Sequence, residues 1–562
     1  MTEPSRKRPR VSPPPPSAAR PTSPPPPPAA DPPSLAAPSP AAPLAPPPAT
    51  APHNTCASHV VHPPAHYLGA STALPQFQQP FHLASFSYSP TRELLLDDAR
   101  KDDALAYYYE PRLGSDLNVG FERAVWRDGS VDEGLDALLD CLSTWAAKQP
   151  LAAADDLLGK ISVITWRGMM TKLMLAVYEV DNLASGRRGD GWEMNAMVVD
   201  GCLYLEESNP PAKLAAKSAS ESSNALPSYY GYSFESYCTA PPSDPPADFA
   251  VPNTNVQWCS VVKTNLGGFR TIVGGEVDCV RVGADPSRIS TADFVELKTN
   301  IVIQSQRDEV NFERQKLLKH YVQSFLLGVP NVTVGFRTRQ GQLTALQNFN
   351  TLELPRLVRG KQHAWTPAAC LASARDLLAF LHSTVASHPS TLRAEADFRS
   401  TSPGAADLPA AALPSEWPVF RIRFAPQDGV SVRELTPREV SDEVLAAKRD
   451  VGKGEDEGEG RVGFLLGRWA REVRERRERI VRTQAEHGTA PVAPTSTSTA
   501  PSRRPGPPPP PPPAPAPAPA PPQPASAEPV PAGAGSNGGA VSPRRNAQGV
   551  RAPSSVLAGL KR

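Results

Sequence analysis

Two short segments of this chain alternate ionisable and apolar residues. Gly274-Gly275-Glu276-Val277-Asp278 sets two carboxylates two residues apart, and Phe294-Val295-Glu296-Leu297-Lys298-Thr299 sets a carboxylate and an ammonium at the same spacing. On a strand, side chains alternate between faces, so Glu276 and Asp278 share a face, as do Glu296 and Lys298. Val277 and Leu297 then point into a core. If the two strands are neighbours in one sheet, three carboxylates and one ammonium meet on one surface. Three like charges there are costly unless a cation neutralises them. Hard carboxylate oxygens suit Mg2+ or Mn2+, and a lysine beside them can orient an attacking water or offset charge on a phosphate. The same alternation also describes a half-exposed sheet with charges on its solvent face.

Two further segments bear on this choice. Lys316, Lys319, His320 and Gln323 fall along one stripe of a helical pattern, next to the apolar Leu317, Leu318, Tyr321 and Phe325. The polar stripe suits phosphate, or support of a metal site, and equally an ordinary amphipathic helix. Trp166-Arg167-Gly168 follows the strand-like run Ile161–Thr165. An arginine at a strand end can grip phosphate bidentately; alone, it can also be a surface ion pair.

The elements that must hold these residues are partly readable. The spacing of Leu135, Leu138, Leu139, Leu142 and Trp145 predicts a helix over 132–145. Ile161–Trp166, Met197–Leu205, Gly268–Val282, Asp293–Thr299, Val332–Phe336 and Val419–Phe424 read as strands. The segment 207–227, rich in small residues, reads as a surface loop. A helix is expected over 309–327, stopped by Gly328 and Pro330, and another over 367–383. Leu465–Arg482 is a candidate helix rich in charge, either solvated or a docking element for a partner.

Of the 68 prolines among 562 residues, 23 fall in residues 1–64 and 21 in 491–562. Runs such as Pro13–Pro16 and Pro507–Pro513 lack amide donors and bury too little apolar surface to offset ordering entropy, so both ends are expected to be disordered. No apolar run is long enough for a membrane span, and seven cysteines without a CxxC pair favour a reducing compartment. The formal net charge is +1, so contact with a polyanion would need a local patch. Four segments result: a Pro-rich tail (1–75) with the basic element Arg6-Lys7-Arg8-Pro9-Arg10, a folded domain (76–440), a charged linker with the candidate helix (441–490), and a Pro/Ala-rich tail (491–562).

The spacing from Asp278 to Glu296-x-Lys298 is similar to the signature of the D-(D/E)xK nuclease fold. Taken with Thr165-Trp166-Arg167-Gly168-x-x-Thr171-Lys172-Leu173, Gly231-Tyr232-Ser233-Phe234-Glu235, Gly275–Cys279, Val295–Thr299 and Lys316–Lys319 through Gln323-Ser324-Phe325-Leu326, the chain resembles the DXO family of RNA-decapping nucleases. Within it, the chain looks most like the fungal nuclear branch, over about residues 76–437. The resemblance implies an α+β fold, a single domain of two packed mixed β-sheets flanked by helices. It implies metal ligation by Glu235, Asp278, Glu296 and the Leu297 carbonyl, with Glu276 serving a second metal or its waters. Lys298 and Gln323 would surround the scissile phosphate, and Arg167 would contact RNA phosphate. Ser233 stands where relatives usually have lysine.

The implied enzyme is a hydrolase that uses Mg2+ or Mn2+, with two ions expected. Its substrates would be RNA 5′ ends: 5′-triphosphate RNA losing pyrophosphate, and RNA with incomplete or NAD caps. The branch also implies nuclear localisation, with Arg6–Arg10 as an import element, and binding and stimulation of the nuclear 5′→3′ exoribonuclease. Scaffolding of that exoribonuclease without catalysis is the alternative. No DNA or membrane partner is expected.

Overall fold

Strands buried on both faces need apolar residues at consecutive positions, and several runs here meet that condition. The computed structural model describes residues 55–69, 74–223, 225–241, 249–400, 417–448 and 460–486. The expectations for the extreme tails, including Arg6–Arg10, and for most of the acidic linker lie outside these residues. Sixteen strands make two sheets. They are β1 (Thr55–His59), β2 (Phe77–Tyr88), β3 (Leu94–Leu95), β4 (Tyr107–Tyr108), β5 (Val163–Trp166), β6 (Trp192–Val199), β7 (Cys202–Glu207) and β8 (Thr239–Ala240). The second half comprises β9 (Gln257–Leu266), β10 (Phe269–Glu276), β11 (Cys279–Val280), β12 (Phe294–Ile301), β13 (Asn331–Arg337), β14 (Leu343–Asn350), β15 (Phe420–Ala425) and β16 (Gly429–Glu434).

The larger sheet has the order β1-β16-β15-β6-β7-β5-β10-β9-β2-β3, and the smaller has β14-β13-β12-β11-β4-β8. Both are mixed: β5 runs parallel to β7 and β10, and β12 parallel to β13, among antiparallel neighbours. The expected α+β class of two mixed sheets flanked by helices is therefore observed. Alternation divides each central strand between two cores. Val198, Leu203, Leu205, Val262 and Val273 join one core with the helices Arg167–Ala184, Leu318–Leu327 and Pro367–Ala386. Val199, Tyr204, Val261 and Ile272 join the other, under Asp136–Ala147 and Gly467–Glu486.

Several expectations are corrected. The run 268–282 is two strands in different sheets, β10 and β11, so Glu276 and Asp278 do not lie on one strand. The expected loop 207–227 holds a helix, Pro211–Ser223, because its alanines and lysines favour helix and Leu214 is buried. The helix expected from 132 begins at Asp136. Asp132 is drawn away by the Lys448 ammonium, 3.0 Å from its carboxylate, while Lys448 also reaches Glu206 at 2.8 Å. The helix expected over 309–327 starts at Gln306 behind a Ser305–Asp308 capping box and passes through a π-helical stretch, Phe312–Leu317. The fold also exceeds the boundaries 76–440. β1 pairs with β16, and Trp469, 1% exposed, seals Gly467–Glu486 onto the core. That helix docks on its own chain: Arg468 grips Asp140 at 2.7–2.9 Å, and Arg479 grips Asp155 at 2.8–2.9 Å.

Candidate active site

The joint between the sheets builds the site. β10 ends at Glu276, and the Val277 amide still donates to the Trp258 carbonyl beside the larger sheet (3.1 Å). Cys279 then pairs with Val295 of β12 in the smaller sheet. Asp278, between them, is turned onto β12. Its Oδ2 accepts from the Leu297 amide at 2.7 Å and from Lys298 Nζ at 3.3 Å. Lys298 Nζ also lies 2.7 Å from Glu296 Oε1 and donates to the Leu297 carbonyl at 2.9 Å. Three oxygens from three residues thus converge on one ammonium. Strand alternation delivers this, as expected for Glu296 and Lys298, with Val277 and Leu297 buried beneath.

Two other elements close on the cluster. Arg167 is the first residue of the helix following β5, and its Nη1 lies 3.3 and 3.4 Å from the two oxygens of Glu296. Gly275 permits that approach, since a Cβ there would meet Leu327 at 2.7 Å and the Arg167 Cβ at 3.1 Å. Glu235 comes from the helix Ala225–Cys238, which carries Phe234 against the smaller sheet. The Phe234 ring occupies the space a side chain on Gly335 would need.

Four acidic groups and two cations share this partly dry space, and their titration diverges. Burial pushes Glu235 well above the usual carboxylate range, and the charge of Asp278 adds to it. Burial raises Glu276 also, again helped by Asp278. For Asp278, burial outweighs the opposing pull of Lys298. Glu296 goes the other way. Burial would raise it, but Lys298 and Arg167 together bring it down to about 2. Lys298 is raised despite burial because Asp278 and Glu296 flank it. The cluster is an anionic cage around a fixed ammonium.

Among the described residues, no three His, Cys, Asp or Glu side chains form a ready-made metal cluster. The positive group among the oxygens is Lys298. Two carboxylates and a carbonyl around one positive atom are nevertheless the hard-oxygen donors that suit Mg2+ or Mn2+. Of the residues singled out by sequence, Arg167, Glu296, Leu297, Lys298 and Asp278 are in direct contact, and Glu235 and Glu276 lie within their field. Gln323 is half-buried on Leu318–Leu327, and no hydrogen bond joins it to the cluster. His320 leaves the expected polar stripe. It is 6% exposed, neither ring nitrogen has a partner among the described residues, and burial lowers its pKa to about 3.

Beside Glu276 opens a cleft of about 290 Å3 whose lining includes Tyr88, Arg92, Arg127, Trp166 and Lys217. Trp166 belongs to the Trp166-Arg167-Gly168 motif, whereas Arg92, Arg127 and Lys217 were not anticipated. They come from separate loops and elements, and only the cationic residue types hint at a shared role. Arg92 is fixed by paired bonds to Glu133 (2.9 and 2.6 Å), with its guanidinium 3.5 Å from the Tyr88 ring centre.

The sequence profile of the family described as RAI1 like PD-(D/E)XK nuclease matches residues 78–446. The chain belongs to this family. As a PD-(D/E)XK nuclease it is an enzyme of the hydrolase class, in agreement with the resemblance read from the motifs. It is 35% identical over 463 residues to the Decapping nuclease RAI1 of Mycosarcoma maydis, covering 70% of this chain and 87% of that one. It is 36% identical over 329 residues to the Decapping and exoribonuclease protein of Homo sapiens, covering 57% and 78%. The crystal structure of Candida albicans Rai1 in complex with pU5-Mn2+ shares the fold, with 21% identity, a TM-score of 0.52, and coverage of 71% of this chain and 96% of that one. β1 and the helix Gly467–Glu486 lie outside the span matched by the family profile.

Proposed function

We propose that the chain is a Mg2+- or Mn2+-dependent RNA decapping nuclease that hydrolyses 5′-end phosphoanhydride and phosphodiester bonds. The observation that carries this is the convergence of Asp278, Glu296 and the Leu297 carbonyl on a single cation. Glu235, Asp278, Glu296 and Leu297 would hold one metal ion, and Glu276 would serve a second. Bound metal would supply an activated water and stabilise charge on the attacking and leaving oxygens. The chain's own groups complete the site. Lys298, held by Glu296, orients the attacking water or offsets charge on the scissile phosphate. Arg167 uses Nη1 on Glu296, which leaves other guanidinium donors for RNA phosphate. Gln323 lies one turn beyond Lys319 and is assigned to the substrate side. The cleft beside Glu276, lined by Trp166 and by both cations (Arg92, Arg127, Lys217) and acids (Asp132, Glu133, Glu207), takes the unpaired 5′ nucleotides, with a ring for stacking.

The substrates are 5′-triphosphate RNA, releasing pyrophosphate, and RNA with incomplete or NAD caps. Asp278→Ala or Glu296→Ala should abolish metal-dependent release from these RNAs while the chain stays folded by circular dichroism. Undiminished turnover in either variant refutes the assigned site. The proposal extends to a nuclear protein that binds and stimulates the nuclear 5′→3′ exoribonuclease. If Asp278→Ala still stimulates the exoribonuclease, scaffolding is separate from chemistry; unchanged nuclear accumulation after removal of residues 1–11 excludes Arg6–Arg10 as the import element.

A further inference from the structure

A line of polar residues leaves the catalytic cluster along the helix that carries Gln323. Its solvent-facing residues are Asn311, Gln315, Lys316 and Lys319, followed by half-buried Gln323. They are the exposed polar residues of a stretch that runs through the π-helical turn Phe312–Leu317 into the helix Leu318–Leu327. The near end is electrostatically joined to the site, since Lys319 is within the fields of Lys298 and Arg167. At the far end Asn311 and Gln315 join Arg187, Arg188 and Arg307 in lining a shallow concavity of about 580 Å3. Arg187, Arg307, Lys316 and Lys319 make no ion pair among the described residues.

The neighbouring acids are already engaged. Asp190 accepts from Arg188 Nε at 3.0 Å, and Asp308 caps its own helix through Ser305 at 2.9 Å. Glu309 lies 3.7 Å from Lys361. The chain as a whole carries a formal charge of only +1, so unpaired cations gathered here are a local arrangement and do not reflect a basic composition. Unpaired cations beside a concave floor of amides and guanidinium groups suit a flexible polyphosphate chain.

We propose that this concavity and the polar line beside it seat the sugar–phosphate backbone of single-stranded RNA outside the catalytic cleft, an inference that rests on the RNA 5′-end function above. The site thereby favours longer RNAs over fragments that fill the cleft alone. The test uses the full chain and the double variant Arg187→Gln/Arg307→Gln. Binding is measured by fluorescence anisotropy with a short 5′-hydroxyl oligoribonucleotide and one several-fold longer, over a salt series. Loss of two phosphate contacts should weaken binding of the long RNA about tenfold and flatten the slope of log K against log salt by about 1.4. Binding of the short RNA should not change. Equal losses for both lengths, or no loss for the long RNA, overturn the proposal. So does a variant whose sole change is weaker competition by inorganic pyrophosphate, which would make the concavity a product site. Hydrolysis of 5′-triphosphate RNA by the unaltered chain is read in parallel, so failure of the catalytic function is distinguishable from failure of the backbone seat.

Discussion

Lys298→Met removes the one ammonium that both Asp278 and Glu296 face. At an effective dielectric of about 20, unit charges at the observed 2.7 and 3.3 Å attract by roughly 6 and 5 kcal/mol before desolvation is subtracted. Breaking a buried pair by deleting one partner typically costs about 3–5 kcal/mol, because the other charge stays behind. Lys298 is 25% exposed while Glu296 is 1% exposed, so water screens one side and the lower end of that range applies. The metal-free variant should therefore lose about 3 kcal/mol in urea unfolding. If the same oxygens hold a divalent metal, Mn2+ should recover most of that loss. Saturation at about a hundred times the dissociation constant is worth about 2.7 kcal/mol, and the variant, lacking a competing ammonium, should gain more than the unaltered chain. Turnover should still be lost if Lys298 orients water and phosphate as proposed. Equal stability of the two metal-free proteins refutes the counter-ion role. Equal stabilisation of both by Mn2+ refutes the shared site.

Two further outcomes follow from distances elsewhere. Burial raises Glu206 to about 7, against the pull of Lys448. The unfolded chain then ionises before the folded one, so stability should fall by roughly 3 kcal/mol as pH rises from about 4.5 to about 7, and level off above. Glu206→Gln should remove that part of the pH dependence in denaturation curves; an unchanged profile refutes the assignment. Gly335→Ala would drive a methyl into the Phe234 ring, costing about 1–3 kcal/mol and displacing Glu235. Activity should fall well below that of Gly231→Ala, a control on the helix that carries Phe234 and Glu235, with open space at its Cβ; similar activities would show that Phe234 does not set Glu235.

The parts of this site legible in sequence were those carried by local periodicity. Alternation on β12 put Glu296 and Lys298 on one face with Leu297 beneath, and the structure places them so. The sheet change between Glu276 and Asp278 was not legible. Val277 is buried and apolar, no glycine or proline follows Glu276 before Cys279, and the run therefore looks like one strand. β1 was missed because the strand it pairs with, β16, is remote in sequence and prolines flank it. The charges of the candidate helix Leu465–Arg482 suggested a solvated face or a docking element for a partner. Their partners Asp140, Asp155 and Asp200 lie far away in the chain and become visible only after folding. Arg167 was expected at a strand end and follows β5 directly, but as the first residue of a helix, where its reach to Glu296 depends on Gly275.

The joint at Val277 and Asp278 makes the candidate site a gauge of how two sheets are seated on each other. Glu276 is fixed to one sheet, Glu296 and Lys298 to the other, and Asp278 takes its position from the turn of backbone between them. A small rotation of one sheet would leave every strand intact, every hydrophobic layer nearly as dry, and the carboxylates no longer facing a common point. Loss of function can therefore precede any loss of secondary structure, and substitutions far from the cluster can silence it by altering the seating alone.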